Sequence, residues 1–185
     1  MERGIRVAEM NGRESLMLRQ TRLATSALLI MLAAAPLVAR QGAATASGTF
    51  TVAGKAAKIN HVYASSGPGF FDKSKTDTTV VLSDIELTPA QLADQFALVE
   101  LANSGKVHAI VLVIDAEKQI ISCQMHDQAF KMSASTAGSN NKFDATTFTK
   151  TRIAGKAYTV KPDTFGPRDV PYEFSVTFDA PVRAK

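Results

Sequence analysis

The stretch YEFSVTFD, Tyr172 to Asp179, decides the fold. Apolar and polar side chains alternate along it without a break, with two phenylalanines and one tyrosine on the apolar side. A period of two is typical of a β-strand that turns one face to a hydrophobic core and the other to water. The sequence therefore predicts a protein built mainly from strands.

The same period extends through the rest of the chain. Phe50 and Val52 begin a strand, residues 53–55 (Ala-Gly-Lys) form a turn, and residues 57–65 return as its hairpin partner. On the returning strand, alternation places three side chains on one face: Ile59, His61 and Tyr63. Further strands are predicted over residues 78–84, 107–115, 119–126, 130–135 and 149–160, the last bent or bulged at Gly155.

One segment has helical signals instead. Thr88 and Gln91 form a capping box, Pro89 suits the first turn, and Gly105 suits a left-handed end. Leu92, Phe96 and Val99 recur at helical spacing, which predicts one helix from Pro89 to Ser104 packed on the sheet. Since residues 107–115 are apolar on both faces apart from His108, that strand is expected to be central and covered by the helix. The expected fold is an antiparallel β-sandwich or small β-barrel of about seven to eight strands with one packed helix.

The beginning of the chain has the layout of a secretory signal peptide. Arg19 and Arg22 precede an apolar run of 17 residues from Leu23 to Ala39, and Ala44-Thr45-Ala46 supplies small residues for cleavage before Ser47. An uncleaved membrane anchor is the alternative, but the run is at the lower limit for a spanning helix. We therefore expect a signal peptide over residues 1–46, with Met10 or Met17 as a possible true start, and a single β-rich domain over residues 47–185.

Removal of this leader changes the charge argument. The whole chain has a formal net charge of +4, but residues 47–185 hold 15 basic and 14 acidic residues. No basic stripe interleaved with aromatics remains, so the sequence does not favour a nucleic-acid partner. We expect a periplasmic or secreted protein without a stable membrane anchor after cleavage, whose partner is a protein or small ligand of the cell envelope.

The sequence holds few signals for catalysis. It has no G-x-S-x-G elbow, P-loop, H-E-x-x-H, C-x-x-C or EF-hand loop, so no catalytic residue and no cofactor are predicted. Cys123 is the single cysteine, and alternation favours a buried core position for it over a catalytic one. His126 is expected on the strand face opposite Cys123.

Two groups of side chains remain as site candidates. His61, His108 and His126, joined by Asp127, are the available ligands for a metal such as zinc or copper, provided that the fold brings them together. Phe70 and Phe71 lie in a Gly/Pro-rich loop, residues 66–77, and are candidates for binding a partner or glycan. The alternative, which the sequence favours, is that one or both rings fold back to cap the core. His61 and Tyr63 are added to this recognition group as possible rim residues.

The phrases GTFTVAGKAAKINHVYA (48–64), FDATTFTKTRIAGKAYT (143–159) and YEFSVTFDAPV (172–182) resemble a family of uncharacterised exported β-rich bacterial proteins of similar length. The resemblance covers nearly all of residues 47–185. It implies export and a β-rich domain, and it carries over no catalytic residue.

Three functions stay open at this point. The preferred one is an exported, non-enzymatic binding or interaction module. The alternatives are a small periplasmic hydrolase or metal-binding protein with a site formed only in the fold, and an accessory subunit of an envelope complex.

Overall fold

A computed structural model describes residues 43–94, 96–131 and 134–184. Residues 41–185 belong to one compact unit. The described ranges contain eleven strands and two short helices: β1 Thr45–Val52, β2 Lys55–Ile59, β3 His61–Pro68, β4 Thr76–Ser83, α1 Pro89–Ala93, α2 Ala97–Asn103, β5 Ala109–Ile114, β6 Ile120–His126, β7 Ala134–Thr136, β8 Asn141–Phe148, β9 Arg152–Thr159, β10 Asp163–Phe165 and β11 Val170–Ala184. No helix in these ranges has the length and apolar character needed to cross a membrane.

Residues 1–42, which hold nearly all of the predicted leader, lie outside the described residues. The predicted cleavage point lies inside β1. Thr45 and Ala46 are paired there with Asp179 and Phe178 of β11, so cleavage before Ser47 would remove two paired residues from the strand.

β11, which contains the YEFSVTFD stretch, holds the sheet together. Along one edge it pairs antiparallel with β1, and along the other with β10 and β9. Its last residues, Val182 to Ala184, instead run parallel to β3. Eight strands follow the order β2-β1-β11-β3-β4-β5-β6-β7, and β8 joins through β9. The fold is mainly β as predicted, but it has more strands than expected and the sheet is curled and mixed.

The alternation in β11 has the predicted consequence. Tyr172, Phe174, Val176 and Phe178 are all at most 2% exposed. They share one core with side chains from both ends of the strand path, including Ile59 of β2 and Ala134 of β7. The curled sheet therefore encloses the main hydrophobic core.

The predicted hairpin is confirmed, but its returning strand is not continuous. β1 pairs with β2 around a turn in which Ala53 and Gly54 have φ of 49° and 77°. The chain then breaks at Asn60, whose N–H donates to the Ser83 carbonyl, and β3 pairs with β4 instead. Because of this break, Ile59 is in the core while His61 and Tyr63 lie on the face opposite Val62, so the prediction of one shared face is wrong.

The predicted helix is divided in two. The Thr88–Gln91 capping box and Pro89 begin α1 as expected, but Asp94 adopts an extended conformation and ends it. α2 resumes after a turn in which the Asp94 carboxylate accepts a hydrogen bond from the Phe96 N–H. Phe96 is consequently 64% exposed instead of lying on the apolar face. The two helices still cover one side of the sheet, where Leu87, Leu98, Ala102, Val107 and Ala109 form a second buried cluster.

Other boundaries also differ from the prediction. β8 was not predicted, and β3 and β4 extend into the expected loop, leaving residues 69–75 between them. The irregularity at Gly155 is confirmed, because the β8–β9 register shifts between Ala145 and Thr147 opposite it. A Cβ atom at Gly155 would lie 2.2 Å from the Asp144 carbonyl oxygen, so only glycine fits.

Candidate functional site

Residues 69–75, here called the aromatic loop, connect β3 to β4 and carry two exposed rings. Phe70 is 71% and Phe71 80% exposed. Their ring centroids lie 5.0 Å apart at an interplanar angle of 86°, an edge-to-face pair. The predicted exposed loop is therefore present, and neither ring folds back to cap the core.

The backbone beneath these rings is held by hydrogen bonds. The carboxylate of Asp77, which is only 8% exposed, accepts a 2.7 Å hydrogen bond from the Phe70 N–H. The Gly69 N–H donates to the Lys75 carbonyl at 2.8 Å and closes the loop. A Cβ at Gly69 would lie 2.3 Å from the Asp72 carbonyl oxygen, so the close approach requires glycine.

The far side of the loop is tied by charged and polar groups. The Asp72 carboxylate accepts hydrogen bonds from the hydroxyl and the N–H of Ser74, which lower the pKa of that carboxyl. Lys75 reaches across to Glu117 in the β5–β6 turn with an Nζ–Oε1 distance of 2.5 Å. This hydrogen bond raises the pKa of Lys75 and lowers that of Glu117. The Lys75–Glu117 contact thus ties the aromatic loop to the turn that joins the end of β5 to the start of β6.

His61 and Tyr63 do not join this loop. They lie at the opposite end of β3 from Phe70. The Tyr63 hydroxyl accepts a 2.7 Å hydrogen bond from the Leu87 N–H, and its ring packs on the cluster beneath the helices. The Tyr63 hydroxyl therefore holds the backbone of the segment that leads into α1. The four predicted recognition residues do not form one surface.

A second group of functional side chains lies at the other end of β4. His108 and Asp127 lie one residue beyond the last pair of the β5–β6 ladder, which is Ala109 with His126. By alternation they continue the core-facing rows of Ile110 and Met125, at the mouth of the interior. The His108 Nδ1 lies 2.6 Å from Asp127 Oδ2, and we call these two residues the His–Asp pair.

Backbone contacts fix both members of the His–Asp pair. The second carboxylate oxygen of Asp127 accepts a 2.7 Å hydrogen bond from the Ala129 N–H. The His108 N–H donates to Asp84 Oδ1 at 2.8 Å, and the Asp84 N–H donates back to the His108 carbonyl. Asp127 is 6% exposed, whereas the His108 side chain is 33% exposed. The imidazole is therefore held at its Nδ1 side and accessible at its other side.

The His–Asp pair borders a cavity of about 590 Å³. The cavity lies between the β1–β2 turn, the end of α2, the start of β5 and the segment after β6. Its lining residues are Val52, Ala53, Lys55, Asn103, His108, Asp127, Gln128, Ala129 and Lys131. None of these described residues carries a hydroxyl or thiol of the kind that a covalent hydrolase uses as its nucleophile.

The structure separates the three histidines proposed as metal ligands. His61, Ser83, Ala109 and His126 occupy one row across four strands, so His61 and His126 are about 14 Å apart at the usual strand spacing. His108 lies on the opposite face of the sheet. No group of three or more His, Cys, Asp or Glu side chains able to hold a metal ion is found in the described ranges. The expected three-histidine site is not formed there.

His126 and Cys123 are both buried inside the protein. His126 is 2% exposed, neither ring nitrogen has a hydrogen-bond partner among the described residues, and burial lowers its pKa to about 4. Cys123 is fully buried, and burial raises the pKa of its thiol to about 12. The predictions that Cys123 is a core residue and that His126 faces away from it are confirmed.

The His–Asp pair was missed because its partners depend on a register shift. The sequence suggests a hairpin between residues 107–115 and 119–126, but a bulge lies between Val113 and Ile114. Had the pairing of Ile114 with Ile120 continued unshifted, His108 would face His126. The bulge moves the register by one residue and places Asp127 opposite His108.

No family model, curated protein or solved structure matches the chain.

Proposed function

We propose that this chain is an exported, non-enzymatic binding module that recognises a protein partner of the cell envelope through the aromatic loop. The observation that carries this function is the exposure of the adjacent Phe70 and Phe71, which exceeds that of the other exposed large apolar residues, Phe96 and Val160. Exposed apolar side chains that lie next to one another mark interaction sites more often than scattered ones do. Two aromatic anchors surrounded by polar groups resemble the centre and rim of a protein interface.

The ring geometry favours a protein over a sugar as the partner. Perpendicular rings at 86° do not present one flat face on which a sugar ring could stack. Phenylalanine also has no polar atom with which to bind sugar hydroxyls. An apolar cleft in a partner protein accommodates both rings and removes both from water.

The loop is organised before binding. Asp77 holds the backbone of Phe70, and the Lys75–Glu117 pair ties the loop to the β5–β6 turn. A loop already in its bound conformation loses less conformational entropy on association. In this proposal the curled sheet serves as a sandwich-like scaffold, which the shared core of β1, β5 and β11 supports.

The test is site-specific photo-crosslinking in cells that express the full chain. A photoreactive phenylalanine analogue is placed at position 71, and the matched control carries it at position 96, another exposed phenylalanine. We expect one discrete crosslinked protein from position 71, absent from position 96, and its loss when Phe70→Ala is added. Equal crosslinking at both positions, or none at position 71, would refute the proposal.

The crosslinked species also addresses the accessory-subunit alternative. If the chain is a permanent subunit, the partner co-purifies in stoichiometric amounts without crosslinking, and the isolated chain dimerises or loses stability. If it is a transient binding module, the isolated chain is a stable monomer and the partner is retained only through the crosslink.

A further inference from the structure

We propose that the cavity beside the His–Asp pair is a second binding site, for the oxyanion group of a small molecule, either a carboxylate or a phosphate. The residues that we assign to the anion are Lys55, Lys131 and His108. This site does not depend on the proposed function of the aromatic loop, since the two lie at opposite ends of β4.

The charges around the cavity favour an anion. Neither Lys55 nor Lys131 has a carboxylate within ion-pair distance among the described residues. Asp127 is the only acidic residue among the described residues that line the cavity, and its two oxygens already accept from His108 and from the Ala129 N–H. The cavity is therefore lined by two exposed lysines and by one carboxylate that is already occupied. A ligand oxyanion would complement this surplus.

The His–Asp pair gives the site a directed donor. With Nδ1 bound to Asp127, Nε2 is the ring nitrogen left for a ligand, and no hydrogen bond of the described residues uses it. An N–H at Nε2 would donate to a ligand oxyanion while the Asp127 carboxylate holds the Nδ1 side of the ring. The pair thus presents one oriented ring nitrogen to the cavity.

The other groups around His108 come from separate elements. Asp84, from the end of β4, accepts the His108 backbone N–H. Asn103, at the end of α2, contributes an uncharged carboxamide to the cavity. Lys55 and Lys131 line the cavity from the β1–β2 turn and from the segment after β6, so the two cations belong to two different parts of the chain.

The size of the cavity fits a small molecule. A volume of about 590 Å³ lies in the range of small-molecule sites in proteins. Gln128 and Asn103 add carboxamides that can bind neutral polar parts of the ligand, and Val52 and Ala53 add a short apolar wall. The composition suits a polar metabolite with one anionic group better than a long apolar molecule.

The test is calorimetric titration of the purified protein with inorganic phosphate and, separately, with succinate, at constant ionic strength. We expect one of the two to bind at a single site, and the tighter one identifies the preferred oxyanion. The double variant Lys55→Ala/Lys131→Ala should weaken its binding at least tenfold. Lys58→Ala removes an exposed lysine of the same hairpin that does not line the cavity, and it should leave the affinity unchanged.

The role of His108 is tested by repeating the titration with His108→Gln, which keeps a donor toward Asp127 but lacks the ring Nε2. We expect its affinity for the anion to fall several-fold, whereas His61→Gln, at a histidine that does not line the cavity, should leave the affinity unchanged. The site is refuted if neither probe binds, if the double lysine variant binds as well as Lys58→Ala, or if His108→Gln binds as well as His61→Gln.

Discussion

The two ends of β4 are built in opposite ways. The aromatic loop exposes apolar rings and is held mainly by hydrogen bonds between residues close in the chain, such as Phe70 to Asp77. The His–Asp pair, roughly 25 Å away at about 3.3 Å per strand residue, buries polar groups that are 19 residues apart in the chain. The loop can therefore lose its rings without weakening the fold, whereas a change at the polar end affects both binding and stability.

The largest expected effect lies at the polar end of β4 and concerns the pH dependence of the free energy of unfolding. It comes from His126, which lies beside Asp127 in sequence. Its folded pKa is about 4, below the usual 6.5, because burial disfavours the charged ring. Below pH 6.5 the unfolded chain therefore binds a proton that the folded protein does not take up until about pH 4. From this group we expect a loss of about 3 kcal/mol in the free energy of unfolding as the pH falls from 6.5 to 4.

Urea unfolding at a series of pH values measures this loss, and variants assign it. His126→Met has a side chain of similar size that does not titrate, and it should flatten the curve between pH 6.5 and 4. His61→Gln replaces a half-exposed histidine of the same row and should leave the curve steep. A steep curve in His126→Met would show that another group causes the acid sensitivity.

A smaller effect is expected from Asp127→Ala. The change leaves His108 Nδ1 and the partly buried Ala129 N–H without their acceptor, so the free energy of unfolding should fall by about 2 kcal/mol. Phe70→Ala and Phe71→Ala remove only exposed rings and should change it by less than about 0.5 kcal/mol. Chemical unfolding at pH 7 compares the three variants, and a loop variant as destabilised as Asp127→Ala would contradict the contrast between the ends.

Sequence alone predicted the parts of this fold that depend on local pattern. β11 was evident because large apolar residues alternate along it, and α1 because Thr88, Pro89 and Gln91 form a local start signal. β8 was missed because, apart from Phe143 and Phe148, its apolar positions are small residues such as Ala145. The break at Asn60 was missed because the sequence pattern continues through it from Ile59 to Tyr63. Only the change of strand partner, from β1 to β4, reverses the face on which His61 and Tyr63 lie.

The candidate sites divide in the same way. An exposed loop at Gly67-Pro68-Gly69 follows from the local sequence, and it was predicted, whereas only the structure shows that both Phe70 and Phe71 are exposed. The His–Asp pair depends on a one-residue register shift within the β5–β6 hairpin, and alternation alone does not reveal where a bulge lies. Long-range pairing is therefore the information that the sequence lacked, both for the sheet order and for the polar cavity.

A smaller effect than that of Asp127→Ala is expected at Asp77, which connects the loop to the folded interior. Asp77→Ala removes the acceptor of the Phe70 N–H, and we expect a loss of about 1 kcal/mol in the free energy of unfolding, since that N–H is only partly buried. Because Phe70 and Phe71 would then sample more conformations, crosslinking from position 71 should fall even though both rings remain. Amide hydrogen exchange of the aromatic loop measures the loosening directly.

Asp72→Ala is the matched control for Asp77→Ala, since it removes a carboxylate from the same loop. Asp72 is exposed and accepts its side-chain hydrogen bonds only from Ser74, so its loss should barely change exchange at Phe70 or crosslinking at position 71. If Asp72→Ala loosens the loop as much as Asp77→Ala does, the exposed turn holds the rings. If neither variant changes the exchange at Phe70, the anchoring hydrogen bond does not order the loop, and the loop owes its conformation to the ends of β3 and β4 alone.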